Sequence, residues 1–265
     1  MNLDLKGRNA FVSGSSKGIG KAIAIELARL GANVTLVART ETSLMQGLID
    51  LSFSAGAEQR HDYLVADFAN PEKLKAAVER HMLKTNKTYH ILINNTGGPP
   101  GGKAIDAVED DFVTAFSNHL LCNHLLTKLM VEGMKKDGYG RIVNVISTSV
   151  KVPLHGLGVS NTIRGAVASW AKTLANELGE FGITVNNVLP GATQTERLKQ
   201  IIDNKSSKQN LSADVVEKEM LSEIPMRRFA KPDEIANAVA FLASPAAAYI
   251  NGINVPVDGG RTGCL

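Results

Sequence analysis

Seven short apolar segments recur along this chain, and stretches with the apolar spacing of amphipathic helices separate them. Several of the segments are apolar almost throughout, as expected of strands that are covered on both faces. This alternation predicts a single α/β domain built on a Rossmann-type doubly wound parallel sheet of about seven strands, with helices on both faces. The segments are NAFVSG (9–14), NVTLVA (33–38), DYLVAD (62–67), HILINN (90–95), RIVNVIS (141–147), ITVNNVLP (183–190) and GINVPVDGG (252–260).

One polar, lysine-rich segment, residues 195–225, interrupts this alternation of strand and helix patterns. We predict that it is helical in pieces, with the loop NKSSKQN (204–210) in its middle. In open α/β sheets ligands bind beyond the carboxyl ends of the strands, and this segment follows the strand candidate 183–190. The sequence therefore predicts a substrate lid inserted into a single domain that spans residues 1–265.

Composition excludes several other classes of protein. The net charge is +3 with basic residues spread along the chain, and only 5% of residues are aromatic, which argues against a nucleic-acid platform. Carboxylates are not grouped as in a metal cage, so no metal site is predicted. No apolar run has the length of a membrane span or the pattern of a signal peptide. Two distant cysteines, Cys122 and Cys264, are expected to be reduced thiols of a cytoplasmic protein.

A glycine-rich loop, SGSSKGIG (13–20), follows the first strand candidate and opens the first helix. Gly14 permits a tight turn, Gly18 lets the backbone approach a ligand, and Gly20 lets the helix pack on the strand. The exposed amides at the start of the helix then form an anion site. We interpret the loop as a pyrophosphate site of a dinucleotide, the alternative being an ordinary strand–helix turn.

The loop spacing resembles the TGxxxGxG motif of the short-chain dehydrogenase/reductase family. The resemblance continues through LVADF (64–68), INNTGG (93–98), GRIVNVIS (140–147), ITVNNVLPGATQT (183–195), RRFAKPDEIANAVAFLAS (227–244) and NGINVPVDGG (251–260). It is strongest to reductases of β-ketoacyl groups carried on acyl-carrier protein. It implies an NAD(P)-dependent oxidoreductase of 3-oxoacyl-ACP reductase type that acts on a carbonyl or hydroxyl substrate, either a small molecule or an acyl thioester.

The resemblance also implies which residues contact the cofactor. They are Gly14, Ser16, Lys17, Gly18, Ile19, Gly20, Arg39, Asp67, Phe68, Asn95, Thr96, Gly97, Arg164, Pro190, Gly191 and Thr193.

The end of the second strand candidate bears on which nicotinamide is used. NAD enzymes usually place an acidic residue there to accept from the ribose 2′-hydroxyl, whereas this chain has Ala38. Arg39 follows, and Lys17 lies in the glycine loop. Two cations without a carboxylate favour a 2′-phosphate, so we predict that NADP(H) is preferred over NAD(H), the alternative being two solvated surface charges.

The catalytic positions depart from the family pattern of a serine, a tyrosine thirteen residues later and a lysine four residues after that. Ser147 occupies the serine position, but Ser160 and Arg164 stand where tyrosine and lysine are expected. The asparagine position on the preceding helix falls at His119, with Asn118 one residue away. The resemblance thus implies an altered proton relay. Arg164 can supply charge and hydrogen bonds to ribose but cannot relay a proton, and Ser160 can position a water.

A substitute acid is available in His155, which lies between Ser147 and Ser160 and belongs to a residue type that titrates near neutral pH. A surface histidine is the alternative. Loss of the tyrosine also leaves open a second function, a catalytically retired NADP-binding sensor or partner subunit of the same fold.

The family resemblance further implies a homo-oligomer, a dimer or tetramer, formed through residues 111–136 and 160–180. Both segments carry more apolar residues than one core-facing stripe needs, among them Leu120, Leu121, Val167 and Trp170. Neither nucleic acid nor a membrane is expected as a partner.

Overall fold

Seven parallel strands form one sheet in the computed structural model, which describes residues 1–52, 56 and 58–264. Their order across the sheet is β3-β2-β1-β4-β5-β6-β7. Each strand falls on one of the seven apolar segments, so the predicted fold class is confirmed. The strands are β1 (Asn9–Ser13), β2 (Asn33–Ala38), β3 (Asp62–Val65), β4 (Ile91–Asn94), β5 (Gly140–Val145), β6 (Ile183–Pro190) and β7 (Asn254–Val257).

Helices cover the sheet on both faces because each crossover between parallel strands must pass over one face. Residues of α1, α2 and α9 share a buried cluster with one face, and residues of α3, α5 and α6 share another cluster with the opposite face. In the described residues the helices are α1 (Gly18–Arg29), α2 (Glu41–Ser52), α3 (Pro71–Thr85), α4 (Glu109–Phe116), α5 (Cys122–Asp137), α6 (Gly158–Leu178), α7 (Glu196–Gln209), α8 (Ala213–Ser222) and α9 (Pro232–Ala243). None of these helices is both long enough and apolar enough to cross a membrane.

The strand order reverses between β1 and β4, which pair through Val12 and Ile93. The chain runs outward from β1 to β3 on one side and from β4 to β7 on the other. Diverging connections leave a crevice at the carboxyl ends of the two central strands, where ligands of such sheets bind. The glycine loop and the segment that begins at Asn95 both emerge there.

A ladder of asparagine side chains crosses the sheet just below this crevice. Neighbours in the ladder stand opposite each other in the strand register, and each amide nitrogen donates to the next amide oxygen at 2.8 Å. The ladder links four neighbouring strands, from the last residue of β4 through β5 and β6 to the first residue of β7. Its members are Asn94, Asn144, Asn187 and Asn254.

The segment 195–225 differs in detail from its prediction. The expected loop at 204–210 is wrong, because residues 204–209 continue α7 and the turn comes at Asn210, whose φ is 54°. Leu198 and Ile202 lie one helical turn apart and pack with Val216 of α8 in a small separate core, which stabilises a helix whose other side chains are mostly polar. Asparagine tolerates the left-handed conformation that ends such a helix.

Candidate active site

The glycine loop has a conformation that only glycine accommodates easily. Gly14 and Gly18 have φ values of 61° and 57°. A Cβ on Gly14 would lie 2.5 Å from the carbonyl oxygen of Asn95, and one on Gly20 would lie 2.2 Å from that of Gly14. The Asn95 amide donates to the carbonyl oxygens of Ser13 and Gly14 at 3.2 and 3.3 Å. The loop is thus held in shape by the residue that follows β4.

The first turn of α1 has no side-chain cap, as is also the case for α4 and α6. Lys17 at its N-cap makes no capping bond, and no acidic residue lies in the first turn. By contrast, Asn70, Thr195 and Ser212 cap α3, α7 and α8 with a side-chain oxygen. The amides at the start of α1 therefore suit an external anion, and a dinucleotide phosphate fits this position.

The two cations predicted to hold a 2′-phosphate are in different surroundings. Arg39 is exposed directly after β2 and forms no ion pair with any residue that the structure describes. Lys17 forms an ion pair with Glu196, the first residue of α7, whose pKa this contact lowers by hydrogen bonding and by charge. Both side chains of the pair are 70% exposed, and such pairs contribute little stability. A phosphate can therefore displace the carboxylate at small cost.

Two buried polar side chains, His119 and Arg164, form a cluster with the half-buried Thr96 next to this loop. His119 sits in a π-helical turn, Ser117–Leu121, that joins α4 to α5. Its Nδ1 lies 2.6 Å from the hydroxyl of Thr96, two residues beyond β4. Burial, and secondarily the charge of Arg164, lower the pKa of His119 to about 3, so the ring is neutral at neutral pH. π-Helical turns occur often at functional sites, because the extra residue redirects a side chain.

Arg164 reaches from α6 to the end of β5. Its Nη1 donates to the carbonyl oxygen of Val145 at 3.4 Å, two residues before Ser147. Its Nη2 faces Gly98 and lies 3.9 Å from the position that a Cβ on Gly98 would occupy. Burial lowers the pKa of Arg164 to about 10, which still leaves the guanidinium charged at neutral pH.

The remaining candidate catalytic residues surround this cluster. Ser147 is half-buried and its hydroxyl accepts from the amide of Ser149 at 3.1 Å. Ser160 is half-buried on α6, one turn before Arg164 and on the same helix face. His155 is exposed in the loop before α6, and no hydrogen bond joins it to the cluster within the described residues. The structure thus brings Ser147, Ser160, His119 and Arg164 to one region, and among the residues it describes it shows no contact between His155 and these four.

The other predicted cofactor residues lie at the strand ends. Gly191 follows β6, its amide donates to Val257 at 3.0 Å, and its carbonyl accepts from Thr193 at 3.0 Å. Asp67 is exposed and accepts from the amide of Ala69 at 3.1 Å. Ile19 is partly buried against the core, Ser16 and Phe68 are half-buried, Gly97 is exposed, and Pro190 ends β6.

Three contacts at the site escaped the sequence analysis. Glu196 pairs with Lys17, Arg197 donates to the carbonyl oxygen of Pro99 at 3.0 Å, and Thr96 pairs with His119. Each joins residues far apart in sequence, so no local pattern indicates them. The asparagine ladder did leave a signal, since each member is a polar residue within a largely apolar strand segment.

A cavity of about 140 Å³ opens between the loop after β4 and the start of α6. The loop is pinned there by backbone hydrogen bonds from Gly102 to Gly156 at 2.8 Å and from Gly158 to Gly102 at 2.9 Å. Pro99–Lys103, Asp106, Ala107, Asp111 and Val159 line this cavity. Within the described residues no group of three histidine, cysteine or acidic side chains is placed to hold a metal.

Comparison with known proteins identifies relatives over nearly the whole chain. A family model described as enoyl-(acyl carrier protein) reductase matches residues 14–262. The 3-oxoacyl-[acyl-carrier-protein] reductase of Pseudomonas aeruginosa is 32% identical over 97% of this chain and 98% of that protein. The 7alpha-hydroxysteroid dehydrogenase of Escherichia coli is 31% identical over 98% and 96%. A crystal structure of L-sorbose reductase from Gluconobacter frateurii, complexed with NADPH and L-sorbose, superposes with a TM-score of 0.93 at 30% identity and covers both chains fully.

Proposed function

Because this chain belongs to the short-chain dehydrogenase/reductase family, a family of oxidoreductases, we propose that it transfers a hydride between NADP(H) and a carbonyl or hydroxyl compound. The proton path in this proposal does not use a tyrosine. The observation that carries it is that an uncapped helix N-terminus at the end of β1 lies near the buried guanidinium of Arg164, which contacts the end of β5 two residues before Ser147.

The cofactor proposal rests on charge. The start of α1 would hold the pyrophosphate, and Arg39 with Lys17 would hold the 2′-phosphate once Lys17 leaves Glu196. The similar L-sorbose reductase has NADPH in its crystal structure, which supports a nicotinamide cofactor of this kind. The nicotinamide supplies or accepts the hydride when it is bound.

Four residues have proposed catalytic roles. Ser147 would donate its hydroxyl hydrogen bond to the substrate oxygen, and Ser160 would position the water that exchanges a proton with it. Arg164 would stabilise negative charge on that oxygen and donate to the ribose hydroxyls. His119 is neutral at working pH, so its role would be to orient Thr96. His155 stays the alternative proton donor, since it lies in the exposed loop between Ser147 and Ser160.

The second candidate function is a retired cofactor-binding sensor or partner subunit. One observation favours it: the pKa of His119, at about 3, and that of Arg164, at about 10, both lie far from neutral. Neither group can then exchange a proton readily at working pH.

We also propose a cytoplasmic homodimer or homotetramer in which residues 195–225 act as a lid over a small-molecule or acyl-thioester substrate. The bond from Arg197 to Pro99 supports the lid, because it joins α7 to the loop beside the cavity.

Cofactor titration followed by turnover tests this proposal. Binding of NADPH and NADH is measured by fluorescence for the wild type, Arg39→Ala and, as a charge control, Arg80→Ala, which removes an exposed arginine of α3. NADPH should bind more tightly than NADH, and Arg39→Ala should weaken NADPH by about tenfold while leaving NADH unchanged. NADPH oxidation is then followed with β-ketoacyl thioesters, ketones and ketoses, and Ser147→Ala should abolish it. Equal losses for both cofactors would contradict the NADP(H) assignment.

A further inference from the structure

Arg141 is a buried arginine of this chain whose guanidinium has several hydrogen-bond acceptors. Its side chain is only 3% exposed and its guanidinium lies 4.2 Å from the ring centre of Tyr139. A guanidinium carries five N–H donors that need acceptors when water is excluded. Arg141 finds three, the carbonyl oxygens of Gly140, Gly182 and Ser244.

Arg164 is buried to a similar degree, at 7% exposed, but lacks such partners. Its one hydrogen bond in the described residues is the 3.4 Å contact with Val145, and it forms no ion pair there. His119 cannot balance its charge, because the ring is neutral and the two groups repel when both are protonated. An unpaired buried cation is unfavourable unless an anion joins it.

The guanidinium is placed where a ligand can reach it. It lies between the exposed Gly98 after β4 and the end of β5 that leads to Ser147. We assign the cofactor phosphates to the start of α1, and the ribose hydroxyls that Arg164 would also contact carry no charge to balance it. A balancing anion is therefore expected from the substrate.

We infer that Arg164 binds a carboxylate of the substrate, so that this protein acts on keto acids or the corresponding hydroxy acids. The inference rests on the proposed oxidoreductase function and narrows its substrate class. A planar guanidinium pairs with a carboxylate through two parallel hydrogen bonds, which fixes the neighbouring carbonyl next to Ser147. A carboxylate suits this site better than a phosphate, because one buried cation matches one negative charge.

Matched pairs of acid and ester test the inference. Pyruvate, acetoacetate and levulinate are compared with their methyl esters, first by equilibrium binding to the enzyme–NADPH complex and then by NADPH oxidation. The variants are Arg164→Met, which removes the charge at similar volume, and Arg164→Lys, which retains it. Removing an unpaired buried charge should not unfold the protein, which circular dichroism verifies, and each variant is saturated with NADPH according to its own affinity because Arg164 would also contact the ribose.

In the wild type at least one acid should bind about tenfold more tightly than its ester. Arg164→Met should abolish this difference, and Arg164→Lys should keep most of it. Acid and ester binding equally, no acid binding at all, or a preference that persists in Arg164→Met would overturn the inference. Acid-selective binding without NADPH oxidation would overturn the proposed oxidoreductase activity alone, whereas equal oxidation of acids and esters would overturn the inference alone.

Discussion

The residues around Arg164 illustrate how burial decides what a side chain can do. A histidine in water titrates near neutral pH, but His119 is enclosed beside a guanidinium, and both effects disfavour its charged form. Its ring nitrogen instead contacts the hydroxyl of Thr96. Sequence spacing located His119 at this site, yet its protonation state follows only from burial and from the neighbouring charge, which spacing does not give.

Substituting His119 tests this account through the pH dependence of stability. The folded-state pKa of about 3 lies below the unfolded value near 6.5, so between these values only the unfolded chain binds the proton. Stability contributed by the neutral ring is thus fully present above pH 6.5 and is lost as the pH falls toward 3, by up to about 1.4 kcal/mol per pH unit.

His119→Asn, which keeps a polar side chain that does not titrate, should therefore unfold with a shallower pH dependence between pH 6.5 and 4, as measured by urea denaturation. His155→Asn, at an exposed position, is the control and should leave the slope unchanged. The pKa values of His61 and His90 are also lowered by burial, but both residues remain in each protein and cancel in the comparison. Identical slopes for wild type and His119→Asn would contradict a neutral buried ring.

At the scale of elements, the sequence predicts the strands of the sheet well and the structure of the segment 195–225 less well. Parallel strands covered on both faces are apolar throughout, so β1 to β7 stood out from their surroundings. In α7 the apolar residues are few, and its polar stretch at 204–209 has the composition of a loop. What makes it helical is packing against α8 and Phe229, a long-range contact that local composition does not encode.

The asparagine ladder makes a prediction about sheet stability. Asn144 is fully buried at its centre, and Asn144→Ala leaves the amide of Asn94 and the amide oxygen of Asn187 without partners. Two unsatisfied buried groups should lower the free energy of unfolding by about 2–4 kcal/mol. Asn254→Ala removes the half-buried end of the ladder and should cost clearly less. Chemical denaturation measures the free energy of unfolding of both variants. An equal loss in the two would contradict the prediction that the centre of the ladder contributes more than its end.

For the whole molecule, the surface formed by α4, the π-helical turn and α5 is unusually apolar. Val113, Phe116 and Leu121 are exposed there, Leu120 is half-buried, and Trp170 of α6 is also half-buried. Val167, which the sequence analysis counted with this surface, is instead fully buried against Ile146 and Leu189. Helical spacing alone could not show that Val167 faces inward, because α6 packs both on the sheet and on α4 and so buries more than one face.

Light scattering with a paired substitution tests the predicted oligomer. The wild type should have the mass of a dimer or tetramer at micromolar concentration, and Leu121→Asp should shift it toward smaller species because a charge would be buried between subunits. Leu83→Asp, at a leucine that is 85% exposed on α3, is the matched control and should leave the mass unchanged. A monomeric wild type would contradict the proposed assembly.

The central claim is that this chain moves a hydride although Ser160 and Arg164 stand at the family positions of tyrosine and lysine. Transfer of deuterium from NADPH labelled at C4, on either face of the ring, measures this directly. The protein and the labelled cofactor are incubated with the keto acids, their esters, β-ketoacyl thioesters and ketoses. The masses of the products are then measured by mass spectrometry. The account predicts an alcohol one mass unit heavier from at least one compound, and none from Ser147→Ala. Saturated NADPH binding with no deuterium in any product would contradict it and leave a protein that binds the cofactor without using it.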